Sequence, residues 1–152
     1  MPYRVARYRL LLVKDGSVPI TWDRQLRQSG DVAKLMADVV AGLDREAFFV
    51  VLVDGKNRVS GINLVSLGSL TAALVHPREV FKPAIAGSAA ALILVHNHPS
   101  GDSSPSAEDL ALTRRLCQAG DLVGIKVLDH IVLGDGGSFR SLADDGLLGG
   151  AR

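Results

Sequence analysis

Cysteine is almost absent from this 152-residue sequence, in which Cys117 is the only one. A single thiol excludes an internal disulfide and a structural zinc site made of several cysteines, so a bound zinc would need histidine and carboxylate ligands. The scarcity of cysteine also fits a reducing compartment. Cys117 itself lies in a stretch with helical character, where a lone cysteine is predicted to be a small core residue and not a nucleophile.

The sequence also has no long hydrophobic run and no large excess of one charge. Between Met1 and Lys14 the apolar run is limited to residues 10–13, which is too short for a signal-peptide core or a membrane span. The formal net charge is +1, so the overall balance demands neither a nucleic acid nor an anionic membrane as a partner. We therefore expect a cytoplasmic protein that does not bind membranes.

Two signatures of zinc enzymes are missing as well. The string His-Glu-x-x-His does not occur, which excludes the zincin class of metalloproteases. The string Pro-Cys-x-x-Cys does not occur either, which argues against a zinc nucleobase deaminase. The sequence contains no internal repeat and no low-complexity segment. Any metal chemistry must therefore come from another arrangement of histidines and carboxylates.

What the sequence does contain is typical of one soluble domain. It is 47% hydrophobic and 22% charged, and its length is sufficient for a substantial core. We expect an N-terminal strand and arm over residues 1–30, with the strand from Arg7 to Val13, and a globular domain over residues 31–148. The basic residues of the arm form no run, so a solvated arm is favoured over a nucleic-acid contact. Residues 149–152 are expected to fray.

Hydrophobic periodicity predicts alternating helices and strands. An apolar stripe with helical spacing predicts a helix over Asp31–Gly42, and two fully apolar runs predict buried strands. The elements predicted after that helix are the hairpin strands Ala47–Val53 and Arg58–Leu67, a loop that opens at Gly68-Ser69, a helix over Arg78–Ala90 in which Pro83 makes a kink or marks the first turn, a strand over Ala91–Val95, a helix over Pro105–Ala119, a strand over Val123–Leu133 and a short strand over Phe139–Leu142. This order favours an α/β fold with a mixed sheet flanked by helices.

Two histidines end the second fully apolar strand. His96 and His98 are two residues apart, so a strand conformation directs both rings to the same face. Asn97 lies between them, points to the opposite face and is predicted to have a structural role. The next residues, Pro99-Ser100-Gly101, are typical of a turn, which explains Ser100 and Gly101 without a chemical role.

The helix after this turn is predicted to bring a carboxylate to the two rings. We expect Ser104 to cap it and Pro105 to be its first residue, which places Ser106 and Asp109 one turn apart on a single face. Two imidazoles and one carboxylate suit a zinc ion with an open position for water. A capping box from Ser106 to Asp109, with no metal, would explain the same residues. The local spacing leaves both explanations open.

The longer string resembles a known family. His96-x-His98-Pro99 followed by Ser106 and Asp109 matches the motif of the JAMM (JAB/MPN) metalloproteases, and the string His-Asn-His-Pro-Ser-Gly resembles the RadC branch, over about residues 46–146. The resemblance implies a three-layer α/β/α sandwich with a mixed sheet, similar to the cytidine-deaminase-like fold. It also implies one Zn²⁺ per chain, held by His96, His98 and Asp109.

The resemblance further implies a glutamate general base and a serine beside the water. Glu46, which opens the first apolar strand, fits the base best. Glu79 is the alternative, although a glutamate in the first turn of a helix is already favoured by the helix dipole. Ser106 is expected to donate its hydroxyl to the developing oxyanion or to the water. We expect Glu46→Gln to keep zinc and lose hydrolysis, and Glu79→Gln to keep both.

Two further histidines are predicted to have supporting roles. Asp129 and His130 match the RadC-like pattern and either contact a ligand imidazole from behind or form a satisfied polar pair within their strand. His76, which precedes Pro77, belongs to no motif and is predicted to be structural.

Three functions are compatible with the sequence. The first is a zinc-dependent hydrolase of peptide or isopeptide bonds, because ligands, base and serine are all present. The second, implied by the RadC resemblance, is a nucleic-acid-linked accessory protein of DNA repair or mobile elements. However, full-length RadC proteins carry a helix-hairpin-helix region before this domain, whereas 45 residues without a Gly-rich hairpin precede Glu46 here. The third is a zinc-stabilised binding module without turnover.

The sequence does not specify the substrate or the oligomeric state. A peptide or protein chain bound in extended form along a strand edge is the expected substrate class. The ligand set by itself admits iron or manganese, and the resemblance favours zinc.

Overall fold

The computed structural model describes residues 1–68 and 75–149, and these ranges contain three helices and five strands. The elements are α1 (Ser29–Val40), β1 (Ala47–Val53), β2 (Val59–Leu67), α2 (Pro77–Ala86), β3 (Ala91–Asn97), α3 (Ala107–Val123), β4 (Lys126–Leu133) and β5 (Phe139–Ser141). The loop predicted from Ser69 and the fraying predicted at residues 150–152 lie outside the described residues. No helix in the described ranges is both long and apolar enough to span a membrane.

The five strands form one mixed sheet in the order β2-β1-β3-β4-β5. β1 is antiparallel to both β2 and β3, β3 is parallel to β4, and β5 returns antiparallel to β4. Every residue of β1 and β3 is buried, since both strands are central and have helices on both faces. The short β5 and the long β2 are the edges of the sheet.

The two faces of the sheet carry separate hydrophobic cores. Val32, Leu35 and Met36 of α1 pack on one face, against odd-numbered residues of β1 such as Phe49 and Val51. Residues of α2 and α3 pack on the other face, against the even-numbered Phe48, Val50 and Leu52, and against Leu92 and Leu94 of β3. The three-layer α/β/α architecture with a mixed sheet is therefore confirmed. By strand alternation His96, two residues after Leu94, faces α3.

The predicted N-terminal strand is wrong. Residues 1–20 form neither a helix nor a strand, and Leu10 and Val13 are 82% and 81% exposed. The run Arg7–Val13 has the composition of a strand, but a strand is stable only when a neighbour accepts its backbone hydrogen bonds. The first backbone hydrogen bonds to the sheet are made at residues 24–26, where Gln25 pairs with Arg58 in an isolated bridge and the Val59 N–H of β2 donates to the Arg24 carbonyl.

Several element boundaries also differ from the predictions. α1 begins and ends two residues earlier than expected, and Gly42 follows its end with a positive φ of 78°. α2 begins at Pro77 and ends at Ala86, so Pro83 lies inside the helix and not in its first turn. β4 begins at Lys126 and not at Val123, because α3 continues to Val123 and ends on Gly124 in the left-handed conformation.

Candidate metal centre

The two histidines of the motif lie at the carboxyl end of β3. His96 is completely buried on the α3 side of the sheet, where its ring stacks on that of Phe48 with centroids 5.9 Å apart. His98 follows the last residue of β3, and its side chain is 13% exposed. The Nε2 atoms of the two rings are 2.9 Å apart. The expected placement of both rings on one side of the strand is observed, with the second ring nearer to solvent.

The carboxylate reaches the rings through a capping box at the start of α3. The Ser106 hydroxyl accepts a hydrogen bond from the Asp109 N–H at 3.0 Å, and Asp109 Oδ2 accepts one from the Ser106 N–H at 2.8 Å. Ser106 is therefore the N-cap, and the prediction that Ser104 caps the helix and Pro105 begins it is wrong by two residues. Ser104 instead donates its backbone N–H to Asp102 Oδ1 within the preceding turn. The capping box is the stronger start signal because it satisfies two backbone donors at once.

The capping box and a metal site do not exclude each other. Asp109 Oδ2 accepts the capping hydrogen bond from Ser106 and also lies 3.2 Å from His98 Nε2 and 3.3 Å from His96 Nε2. Both explanations of the Ser106–Asp109 spacing are thus compatible with the same geometry. The N-terminus of α3 further favours a negative charge at this position.

The three atoms have the spacing and chemistry of a metal site. His96, His98 and Asp109 each offer one ligand atom, and these atoms converge at 2.9, 3.2 and 3.3 Å from one another. Atoms bound at about 2.0–2.1 Å to a tetrahedral zinc lie about 3.4 Å apart, so the observed spacing is close to that of three zinc ligands. His98 Nδ1 lies 2.8 Å from the Asp102 carbonyl, which can only accept, so Nδ1 carries the proton and Nε2 offers its lone pair.

The carboxylate of this cluster is ionised. Burial raises the pKa of Asp109, but the proximity of His96 and the hydrogen bond from the Ser106 N–H outweigh burial and hold that pKa well below its usual range. A carboxylate, an imidazole lone pair and a second imidazole in mutual contact suit a cation. The residues present therefore fit a divalent metal, and their mixed N and O donors admit zinc, iron or manganese.

Glu46 lies directly before β1 and is half-buried. β1 and β3 are paired with Phe48 opposite His96, and continuing this register by two residues places Glu46 at the level of His98. The backbone on both sides of Glu46 is fixed by one side chain, since Asn97 accepts from the Ala47 N–H at 2.7 Å and donates to the Arg45 carbonyl at 3.1 Å.

Glu79 is engaged elsewhere. It lies in the first turn of α2, where Lys82 Nζ donates to its carboxylate at 2.8 Å and lowers the pKa of that carboxyl. This agrees with the interpretation of Glu79 as a helix-turn glutamate. His76 is the N-cap of the same helix, and its Nδ1 accepts from the Arg78 N–H at 3.2 Å, in agreement with a structural role.

Asp129 and His130 have different environments although they are adjacent. The Asp129 carboxylate accepts from the Ser141 hydroxyl at 2.6 Å and from the Ala143 N–H at 2.9 Å, which ties β4 to the end of β5 and to the segment after it. His130 lies on the other side of β4, and its Nε2 is 2.7 Å from His96 Nδ1. Asp129 is thus a satisfied structural carboxylate, whereas His130 contacts an imidazole of the cluster.

Thr113 is the residue of this site that the sequence predictions missed. Its buried hydroxyl donates to the Asp109 carbonyl at 2.6 Å and lies 2.6 Å from His130 Nδ1. A signal was available, because Thr113 is four residues after Asp109 and so shares its helix face. Burial, and then the neighbouring His96, lower the pKa of His130 well below its usual value, so this ring is neutral.

A groove lies on the α1 side of the sheet, whereas the cluster faces α3. It has a volume of about 570 Å³ and lies between α1 and the turn that joins β4 to β5. His98 and Pro99 form its end nearest to the cluster, and Lys34 of α1 lines its wall. The groove therefore leads to the more exposed of the two histidines.

The comparisons with known proteins agree with this geometry. The family model described as the RadC-like JAB domain matches residues 26–147. The UPF0758 protein of Moorella thermoacetica is 55% identical over 123 residues, which are 81% of this chain and 53% of that protein. The UPF0758 protein of Geobacter sulfurreducens is 60% identical over 104 residues, 68% of this chain and 45% of its own length.

The UPF0758 protein of Symbiobacterium thermophilum is 56% identical over 119 residues, which are 78% of this chain and 50% of that protein. The chain thus spans about half the length of the curated relatives it matches. The match of the family model covers most of the chain, and it includes β3, α3 and the cluster of His96, His98 and Asp109. The chain therefore belongs to the RadC-like JAB domain family.

Proposed function

We propose that this protein is a metal-dependent hydrolase of the JAMM type that uses one zinc ion per chain and cleaves a peptide or isopeptide bond. The observation that carries the proposal is the convergence of His96 Nε2, His98 Nε2 and Asp109 Oδ2 within hydrogen-bonding distance of one another. Three lone-pair donors held this close are best explained by a cation between them.

The residues around the cluster have complementary roles. His96, His98 and Asp109 would hold the zinc, which when bound lowers the pKa of a water molecule to about 7 and polarises a carbonyl group. Glu46 accepts a proton from the attacking water and returns it to the leaving amine, as a general base and then a general acid. Ser106 uses its hydroxyl for the cap only as an acceptor, so its own proton can be donated to the developing oxyanion.

The groove beside His98 supports a chain-like substrate. Its volume of about 570 Å³ can take several residues of a polypeptide, and it ends at the exposed histidine. Lys34 and Asp135 in its lining offer one positive and one negative charge to polar groups of the substrate. We propose that the substrate lies in this groove, with its scissile bond at the His98 end.

Hydrolysis of a library of peptides and isopeptide-linked peptides by the zinc-loaded protein tests this proposal. We expect cleavage by the wild type, none by Glu46→Gln and unchanged cleavage by Glu79→Gln, with zinc retained in both variants. Loss of cleavage in Glu79→Gln alone would move the base to that residue. If zinc is bound but no member of the library is cleaved, the protein is a zinc-stabilised binding module and the hydrolase proposal fails.

A second candidate function, nucleic-acid binding, is favoured by one observation. Residues 1–20 form neither a helix nor a strand, and their basic side chains are exposed to solvent. These are Arg4, Arg7, Arg9 and Lys14. Binding to duplex DNA that weakens steeply with salt, and that is lost when these four residues are replaced by serine, would support this function. Absence of DNA binding at low salt would exclude it.

A further inference from the structure

We propose that Thr113 and His130 are positioning residues that fix the proton of His96 on Nδ1, so that its Nε2 is always free to bind the metal. The proposal rests on the metal site proposed above. It concerns a chain of contacts on α3, β4 and β3 that begins at the backbone of Asp109 and ends at His96.

The first contact uses the single proton of the Thr113 hydroxyl. Thr113 Oγ1 donates to the carbonyl oxygen of Asp109 at 2.6 Å, and a carbonyl can only accept. The same oxygen lies 2.6 Å from His130 Nδ1. Since Thr113 has no second proton to give, its oxygen accepts this hydrogen bond, and His130 Nδ1 must carry the proton.

The protonation of His130 on Nδ1 then sets the donor and the acceptor in its hydrogen bond with His96. His130 is completely buried, between Thr113 on one side and Phe48 and His96 on the other. A ring so enclosed is neutral, because burial of a charge without a countercharge is costly. Its Nε2 therefore presents a lone pair to His96 Nδ1 at 2.7 Å, and His96 must donate. The proton of His96 is thus on Nδ1, and the lone pair is on Nε2.

The consequence is a preorganised cluster. His96 Nε2 is the atom that lies 2.9 Å from His98 Nε2 and 3.3 Å from Asp109 Oδ2. A free imidazole in water protonates mainly on Nε2, which would put a proton where the metal has to bind. Thr113 also links the two ends of the cluster, because its hydroxyl bonds to the residue that supplies the carboxylate. Contacts of this kind behind a ligand contribute roughly 10-fold to 100-fold to metal affinity.

The tautomers can be measured directly in the metal-free protein. Long-range ¹H–¹⁵N NMR spectra of ¹⁵N-labelled wild type should show His96, His98 and His130 protonated on Nδ1. His76 provides an internal reference with the opposite tautomer, because its Nδ1 accepts a hydrogen bond from Arg78. A proton on Nε2 of His96 or His130 would overturn the proposal. This result does not depend on activity or on the presence of metal.

Zinc affinity in three variants tests the effect of the contacts from Thr113 through His130 to His96. Thr113→Val keeps the shape of the side chain but offers no oxygen to His130, and it should weaken zinc binding roughly tenfold or more in a chelator competition assay. Thr113→Ser should restore affinity to within about threefold of the wild type, since it keeps the hydroxyl. Leu116→Ala, in the buried face of the same helix, is the matched control: it should lower the melting temperature and leave zinc affinity unchanged.

The outcomes separate this proposal from the proposed function. An unchanged zinc dissociation constant in Thr113→Val, or an equal loss in Leu116→Ala, would overturn the positioning role. If the wild type binds no zinc, the proposed function fails, and the NMR spectra still show which nitrogens of His96 and His130 carry the protons.

Discussion

The side chain of Asn97 accepts a hydrogen bond from the backbone N–H of Ala47 at 2.7 Å, across the pair of strands β1 and β3. Its amide group also donates to the Arg45 carbonyl at 3.1 Å, so one side chain binds the backbone on both sides of Glu46. Asn97 is itself the residue between the two histidines of the motif. The strand that carries the ligands is thereby joined to the residue proposed as general base.

The substitution Asn97→Ala tests this connection. It leaves a buried N–H and a carbonyl without partners, which should lower the free energy of unfolding by about 2–4 kcal/mol. We expect hydrolysis to fall at least tenfold while the zinc dissociation constant changes less than threefold, because Glu46 moves and the ligands do not. Urea unfolding, chelator competition and peptide cleavage measure the three quantities. A loss of zinc affinity as large as the loss of hydrolysis would show that Asn97 supports the ligands instead.

A buried carboxylate outside the cluster predicts a second pair of variants. Asp129 Oδ1 accepts from two backbone N–H groups, of His130 and Ala143, and Oδ2 accepts from the Ser141 hydroxyl. Asp129→Ala removes the acceptor of all three hydrogen bonds and should lower the free energy of unfolding by about 2–4 kcal/mol. Asp129→Asn keeps an oxygen for both backbone donors and should cost about 1 kcal/mol or less.

The burial of Asp129 also predicts that the stability of the protein depends on pH. Burial raises the pKa of Asp129 despite the hydrogen bonds from Ser141 and Ala143, which lower it. The folded state therefore binds this proton more tightly than the unfolded state, so the contribution of Asp129 to stability falls as pH rises through the folded pKa. Asp129→Asn should remove this decrease, which chemical denaturation between pH 3 and pH 8 would show. Parallel stability curves for the wild type and Asp129→Asn would contradict the shift.

The single cysteine is expected to be unreactive. Its Sγ donates to the Leu148 carbonyl at 3.1 Å, and burial raises the pKa of the Cys117 thiol to about 11. At pH 8 roughly a thousandth of the thiol is then ionised, against roughly a tenth for a group at 9.0, and only the thiolate reacts. Alkylation by iodoacetamide should be roughly 100-fold slower in the native protein than in guanidinium. Equal rates would show that the half-buried Cys117 thiol is not protected in the native protein.

Local sequence patterns predicted the central sheet well. The fully apolar run Ala47–Val53 became β1 with the same bounds, because a strand buried on both faces needs no polar residue and Asp54 ends it. Capping was more difficult to predict. Ser104-Pro105 and Ser106 with Asp109 are competing start signals two residues apart, and the choice depends on Asp102, which binds the backbone of Ser104 in the turn.

The ligand set could be predicted from the motif, and contact of His130 with a ligand imidazole was one of two predicted alternatives, but the contact between Thr113 and His130 could not be predicted. Thr113 and His130 are 17 residues apart in sequence, and they meet only because α3 packs on β4. In the same way, Arg7–Val13 has a strand-like composition but no neighbour to pair with in the described residues, and composition does not reveal this. Contacts between distant elements require the folded structure.

Metal content tests the central claim most directly. Elemental analysis of the purified wild type should give about one zinc per chain, and His96→Ala, His98→Ala and Asp109→Ala should each give less than about a tenth of that while circular dichroism shows a folded protein. Glu46→Gln is the matched control and should retain its zinc. A wild type without metal after reconstitution, or three variants that keep it, would contradict the metal site and with it the proposed hydrolase.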